Sequence, residues 1–381
     1  MSLGCNSIGK EFVVTCFGES HGRCVGAVID GCPAGLPLTE EDIQKELDKR
    51  LPPSQEIVSA RREEDAVELL SGTYEGFTTG APICALVWNK QVISGDYDSI
   101  KDKPRPGHAD YPARIKYMGF NDYRGGGRFS GRITVAFVIA GAVAKKLLDV
   151  FGVEVLAYTT GIGNVELQAT LSLEDVRENT YANSVRCPDP DVAEEMEETI
   201  LSAKKEGDSV GGIVECVAFN LPVGVGEPIF DSLDADIAKM LFGIPAVKGV
   251  EFGVGFEAAK MRGSENNDPY VMCDDEIELL NNNAGGVLGG LSSGMPLVVR
   301  VAVKPTSSIS KEQKTVDLSK MDETTIQVQG RHDPCIVPKA VPVVEASVAI
   351  VLVDQLIRGG FIPKVLGVEA VGEYYGVKEE D

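Results

Sequence analysis

Histidine is scarce in this chain, with three in 381 residues. Any imidazole-based proton chemistry near neutral pH is therefore confined to three places. Positive charge is also in deficit: 36 lysines and arginines stand against 58 aspartates and glutamates, a formal net charge of -22. That balance argues against non-specific binding to nucleic acid or a membrane surface, because phosphates are repelled. A small anionic substrate held by local arginines remains open. The nine cysteines form no C-x-x-C pair and no Cys/His ligand spacing, so no metal is expected, and their odd, scattered placement fits a reducing cytoplasm. The first ten residues are polar and lack the pattern of a secretory signal. The apolar run at residues 133–144 is too short to span a bilayer. A soluble cytoplasmic protein is expected. A Walker A ending (Gly-Lys-Ser/Thr) is missing, and no G-x-G-x-x-G opens a strand-helix unit.

The histidines the chain does have are placed in short polar clusters. They are His21 in Gly18-Glu19-Ser20-His21-Gly22, His108 in Arg105-Pro106-Gly107-His108-Ala109-Asp110, and His332 in Gly330-Arg331-His332-Asp333-Pro334. None falls on an apolar helical stripe, where a core histidine belongs. Each is within three residues of an arginine and of a carboxylate, which suits proton transfer on an anionic substrate. One such cluster reads equally well as an ordinary polar loop; three of three favour a common active site. A histidine beside a bound phosphate is pushed towards its cationic form, which suits a general acid. Asp333 beside an arginine stays ionised unless it is desolvated. Ser20 and Ser130 could relay protons or bind oxygen, but adjacent Ser20 and His21 are poorly placed for a Ser-His-Asp triad.

Gly125-Gly126-Gly127-Arg128-Phe129-Ser130-Gly131-Arg132 puts glycines, two arginines and a hydroxyl just before a helix. Glycine admits close backbone approach, and a helix start offers unpaired N–H groups, so the segment suits a phosphate. A structural turn is the alternative. Lys304-Pro305-Thr306-Ser307-Ser308 offers a cation, hydroxyls and backbone donors, with a plain loop as its alternative. The glycine-rich stretch at 281–290 has the same ambiguity. Arg61-Arg62-Glu63-Glu64-Asp65 reads as a solvated charge run.

Patterning predicts strands at residues 12–17, 25–30, 66–72, 83–88, 153–161, 212–220, 247–256 and 297–303. Helices are predicted at 39–51, from about 133 to 151, and at 173–178, 191–205, 232–242 and 339–358. Two of these, at 133–151 and 339–358, are long and apolar enough to require burial on most faces. Residues 90–130 read almost wholly as loop, and their aromatic content argues against disorder. No linker divides the chain, so a single domain over 1–381 is expected. Each half has a Gly-Arg cluster leading into a long buried helix, a faint echo of internal duplication.

Taken in order, the clusters become specific. With Tyr123-Arg124-Gly125-Gly126-Gly127-Arg128, Lys248-Gly249-Val250-Glu251-Phe252-Gly253 and Lys304-Pro305-Thr306-Ser307-Ser308-Ile309, the chain resembles the chorismate synthase family from about residue 10 to 372. The resemblance implies an α+β fold, a β-α-β sandwich with long central helices packed between antiparallel sheets. It implies anti-1,4-elimination of phosphate from 5-enolpyruvylshikimate 3-phosphate to give chorismate, the last step of the shikimate pathway, using reduced FMN without net redox change. By motif, His21 protonates the departing phosphate, His108 protonates or neutralises the reduced flavin, and Asp333 assists proton transfer at the flavin N5.

FMN contacts are implied for Arg128, Phe129, Ser130, Ala246, Gly289, Lys304, Pro305, Thr306, Ser307, Ser308 and Arg331. Arg50, Arg105, Arg124 and Arg132 are implied to hold substrate or NADP anions. A homotetramer is the family's usual state. Phe129, Gly131 and Ile133 depart from the family's usual residues, which shifts the expected flavin contacts towards backbone donors. Leu51, Pro53 and Glu56 stand where basic or glycine residues are common, which weakens the expectation of direct NADPH binding. No separate flavin reductase domain is visible in the sequence, so an external source of reduced flavin is expected. Two other readings stay open. A flavin-binding protein of different use needs the Gly-rich and Lys304 loops but not both His21 and His108. A phosphate-ester hydrolase would release phosphate without flavin.

Overall fold

The computed structural model describes residues 4–51, 57, 65–90, 101–168, 171–274, 276–328 and 332–367. It is an α+β fold built on two five-stranded antiparallel sheets. The first sheet runs, edge to edge, Ser7–Ile8, Val13–Gly18, Cys24–Asp30, Ile83–Trp88 and Val67–Ser71. The second runs Val247–Phe252, Leu297–Val303, Gly212–Phe219, Glu154–Ile162 and Val165–Glu166. These are the segments in which β-branched residues dominate, which suits a pleated, half-buried surface.

Two long helices carry the core. The first, Thr134–Val150, has no charged side chain before Lys145, and its residues are buried on nearly all sides. The second, Val337–Arg358, exposes only its Lys339 and Arg358 positions to any degree. It is long and apolar enough to cross a bilayer, with mean hydropathy 1.9, yet it is wholly enclosed by protein. The first helix packs on the first sheet and on the second helix, and the second helix packs on the second sheet. Their crossing is close at Gly141: a Cβ there would lie 2.2 Å from the Ala346 Cβ and 2.6 Å from its Cα. Gly141→Val is therefore expected to overpack the crossing and cost about 1–3 kcal/mol or more, read as a lowered urea midpoint.

Buried charges tie other segments to these helices. Asp354, on the second long helix, accepts from the backbone N–H groups of Lys10, Glu11 and Phe12 at 2.8, 2.7 and 2.9 Å. One carboxylate thus satisfies three donors and fixes where the strand leading to His21 begins.

Three features differ from the sequence expectation. The 90–130 stretch contains a short helix, Asp110–Lys116, and tight turns at Arg124–Phe129; polar loop signals around it hid about two helical turns. The strand expected to reach residue 256 ends at Phe252, because Gly253 turns with φ +55° and a Cβ there would meet the Asn283 carbonyl at 2.0 Å. Two surface hairpins, Tyr270–Cys273 with Glu276–Leu279 and Gln313–Asp317 with Asp322–Ile326, were not anticipated, since their strands are only four or five residues long.

Candidate active site

The triple glycine organises the site. Gly125, Gly126 and Gly127 all have positive φ (57°, 83° and 53°), a backbone path that other residues rarely take. The bend brings the chain against both histidines. A Cβ on Gly125 would stand 2.4 Å from the His21 ring and 2.8 Å from the Ser20 Oγ. A Cβ on Gly126 would stand 3.1 Å from the His108 ring. Adjacent residues of one bend thus touch His21 and His108, which are 87 positions apart (108 minus 21). The Ser20 N–H donates to the Gly127 carbonyl at 3.3 Å, closing the first loop onto the bend. Ser20 and His21 are buried.

Around His108 lies a buried ionic cluster. Arg105, only 6 % exposed, grips Asp110 with Nε and Nη2 at 2.8 Å each, a bidentate pair. The same guanidinium lies 3.2 Å from the His108 Nδ1 and reaches the Ser308 Oγ at 3.1 Å. His108 Nδ1 is 2.6 Å from the Asp110 Oδ1. Burial pushes the Asp110 carboxyl up, but hydrogen bonds and charge from Arg105 and His108 outweigh it and hold it well below the usual carboxylate range.

The Lys304 loop closes the other side. Gly107 faces it, with its Cβ position 3.6 Å from the Ser307 Cβ and 3.9 Å from the Lys304 Nζ. Burial and the nearby Lys248 charge push the Lys304 ammonium below its ordinary value. Two lysines placed so that each repels the other suit a bound anion. The Lys304 N–H donates to the carbonyl of Ala246, which sits at φ +74°. Thr306 accepts from the Ser209 Oγ at 2.8 Å, and the next residue, Val210, donates to the Pro334 carbonyl. That step joins Asp333 to the network. The Lys339 ammonium holds both Asp333 oxygens, at 2.9 and 2.7 Å, from the first turn of the second long helix.

The remaining candidates are used differently. Arg128 donates to the Gly18 and Cys16 carbonyls and to the Asn6 amide oxygen, so it pins the strand before His21. Arg124 pairs with its neighbour Asp122. Arg50 and Arg132 converge on Asp65; Arg132 also donates to Asn89, whose amide binds the carbonyls of Glu19 and Gly22. Ser130 caps the turn before the first long helix, and Phe129 is partly exposed. Pro305 packs near Gly211. Gly289 forms the turn between Val287–Leu288 and Leu291–Ser292 with open space at its Cβ position. Arg331, like Pro53 and Glu56, lies outside the described residues.

Sequence reasoning missed Asp110, Asp122, Asp65, Asn89, Ser209 and Lys339. Asp110 and Lys339 were visible as local neighbours of named residues; Asp65, Asn89 and Ser209 reach the site only through folding. Residues 18–22 and 207–211 also carry Gly-x-Ser-x-Gly spacing, but neither runs from a strand into a helix as a nucleophile elbow does.

A glycine bend that meets two histidines, flanked by loops bearing arginine and lysine, suits acid–base chemistry on phosphorylated, anionic ligands. A family profile described as chorismate synthase matches residues 12–357. Chorismate synthases of Dehalococcoides mccartyi and Methanocaldococcus jannaschii are each 54% identical, over 95% and 94% of this chain and 99% and 97% of theirs. A crystal structure of a chorismate synthase superposes with a TM-score of 0.74 at 31% identity, covering 97% of each chain. The chain belongs to the chorismate synthase family. Its reaction is the elimination of phosphate from 5-enolpyruvylshikimate 3-phosphate to give chorismate in the shikimate pathway, a phosphate lyase activity with reduced FMN as cofactor.

Proposed function

We propose that this elimination is carried out at the bend where Gly125 and Gly126 meet His21 and His108. That juxtaposition is the observation supporting the reading. The residues present suit a phosphate-bearing cofactor: Lys304 and Ser307 face Gly107, the Ser308 hydroxyl meets Arg105, the Lys304 N–H is tied to the Ala246 turn, and the Lys248 charge acts on the Lys304 ammonium. Phe129, Ser130, Gly289 and Arg331 complete the proposed FMN set, with Arg128 contributing through its backbone because its guanidinium holds Gly18, Cys16 and Asn6. When bound, reduced FMN supplies transient electron density to the substrate and a place for the ring proton.

The chain's own groups do the rest. His21 donates a proton to the departing phosphate, with Ser20 beside it as relay. His108, backed by Arg105, presents positive charge to the anionic cofactor. Asp333, oriented by Lys339, assists proton transfer on the cofactor side. Arg50 and Arg132, held ready by Asp65, with Arg105 and Arg124, bind the anionic groups of substrate or NADP.

The order of sheet, paired helices and sheet supports a β-α-β sandwich forming one domain, and the two Gly-Arg segments before the long helices support an internal duplication. A cytoplasmic homotetramer fed by an external flavin reductant is the accompanying proposal.

The test is anaerobic: protein and 5-enolpyruvylshikimate 3-phosphate, with and without chemically reduced FMN, followed for chorismate absorbance and phosphate release. Chorismate and phosphate in equal amounts, only with reduced FMN, is the expected result. Phosphate without chorismate overturns the reading in favour of a hydrolase.

A further inference from the structure

We infer that Asp110 is the positioning residue of His108: it sets the ring's tautomer and direction and does not itself exchange protons with ligand. The inference rests on the role given to His108 above and adds to it.

The hydrogen-bond count carries the argument. Asp110 Oδ2 accepts from the Arg105 backbone N–H at 3.0 Å and from its Nε at 2.8 Å. Oδ1 accepts from the Arg105 Nη2 at 2.8 Å and faces the His108 Nδ1 at 2.6 Å. An ionised carboxylate has about four lone-pair sites, and four donors fill them. Such a group has no capacity left to take a proton from substrate, and the donors hold its carboxyl well below the usual carboxylate range. An acceptor-only oxygen 2.6 Å from Nδ1 requires Nδ1–H. The ring then turns Nε2 towards the Gly126 side, where the Cβ position lies 3.1 Å from that atom. His108 Nε2 is thereby presented at the same bend that touches His21.

Arg105 serves both partners. Its guanidinium neutralises Asp110, and its Nη2 lies on the Cε1 side of the ring, 3.2 Å from Nδ1 and 3.4 Å from Nε2; with Nδ1 protonated, only Nε2 can accept from it. Asp110 is the first residue of the Asp110–Lys116 helix. Its backbone is therefore fixed by helix geometry rather than by loop contacts. This gives the His108 loop, three residues from Arg105, a rigid reference point.

Asp110→Asn keeps the size and removes the charge. Three histidines make imidazole ¹⁵N spectroscopy on the full-length protein simple to assign, with His108→Ala identifying the His108 signal. The expected wild-type signature at a pH where the ring is neutral is protonated Nδ1 and unprotonated Nε2. In Asp110→Asn the expected result is loss of that signature to a mixed or Nε2–H form. The accompanying kinetics should show kcat lower by about 10²-fold with a much smaller change in KM. Asp110→Glu, which retains the charge, should recover part of the rate.

A wild-type spectrum dominated by Nε2–H overturns the assignment whatever the activity. So does an unchanged Nδ1–H signature in Asp110→Asn together with near-normal kcat. If His108→Ala itself turns over normally, the role of His108 fails instead, and the tautomer measurement still decides whether Asp110 orients the ring.

Discussion

His108→Ala is expected to lower kcat by about 10²–10⁴-fold, the range for losing a positioned acid–base group, while leaving the thermal midpoint within a few degrees of the parent. The separation of the two effects follows from where the side chain sits. His108 lies in the loop between Arg105 and the Asp110–Lys116 helix, partly exposed, and contributes nothing to the packing between the two long helices. Its polar partners, Arg105 and Asp110, remain paired to each other without it. No buried charge is therefore orphaned, and the main source of large structural penalties is absent. The measurement is anaerobic turnover with reduced FMN beside a melting curve of the same preparation. Near-normal turnover removes His108 from the chemistry, and a collapsed midpoint makes the rate loss uninformative.

Much of that site was legible before folding, and the reason is local. His21, His108, the triple glycine and the Lys304 loop are short motifs whose chemistry is complete within five or six residues. The long helices were equally plain, since long, largely apolar helical stretches call for burial on most faces. What the sequence concealed was the use of each arginine. Arg128 looks like a ligand-binding cation beside the glycines, yet its guanidinium is taken up by the Gly18 and Cys16 carbonyls. Arg132 and Arg50 share Asp65, a residue that reads as part of a solvated charge run. Which carboxylate an arginine meets depends on pairings tens of residues apart, and no periodicity encodes them. The helix at Asp110–Lys116 was missed for the opposite reason: seven residues are too few for a 3.6-residue pattern to repeat.

Lys145→Met should be among the most destabilising single changes outside the site, at about 3–5 kcal/mol, the cost of breaking a buried ion pair by removing one partner. Lys145 projects from the first long helix between Glu46 and Glu345, contacting the first at 2.8 Å and the second directly. Glu345 is 1 % exposed, on the second long helix, and its other oxygen accepts from the Ala157 N–H at 3.1 Å. Removing the ammonium leaves two largely buried carboxylates with Lys49 as the remaining cation among the described residues, 2.7 Å from Glu46 and 3.9 Å from Glu345. Glu345→Gln should cost less, about 1–3 kcal/mol, because Lys145 keeps Glu46 and the amide can keep Ala157.

The pH dependence separates charge from packing. Burial pushes the Glu46 carboxyl up, but Lys145 and Lys49 outweigh it and leave it below its ordinary value. A depressed carboxyl stabilises the fold above its unfolded pKa, about 4.3, and that stabilisation is lost as pH falls through the lower folded value. Charge from Glu345 and Glu46 outweighs burial to raise Lys145, so its share is complete below its unfolded value, about 10.4, and is lost only as pH rises through the folded one. The parent should therefore weaken in acid. In Lys145→Met the sign reverses locally, since protonating Glu46 relieves its repulsion with the neighbouring carboxylate. Urea midpoints of the two proteins should differ most near neutrality and converge towards pH 4. Parallel curves would mean that Lys145 acts through its methylene stem alone.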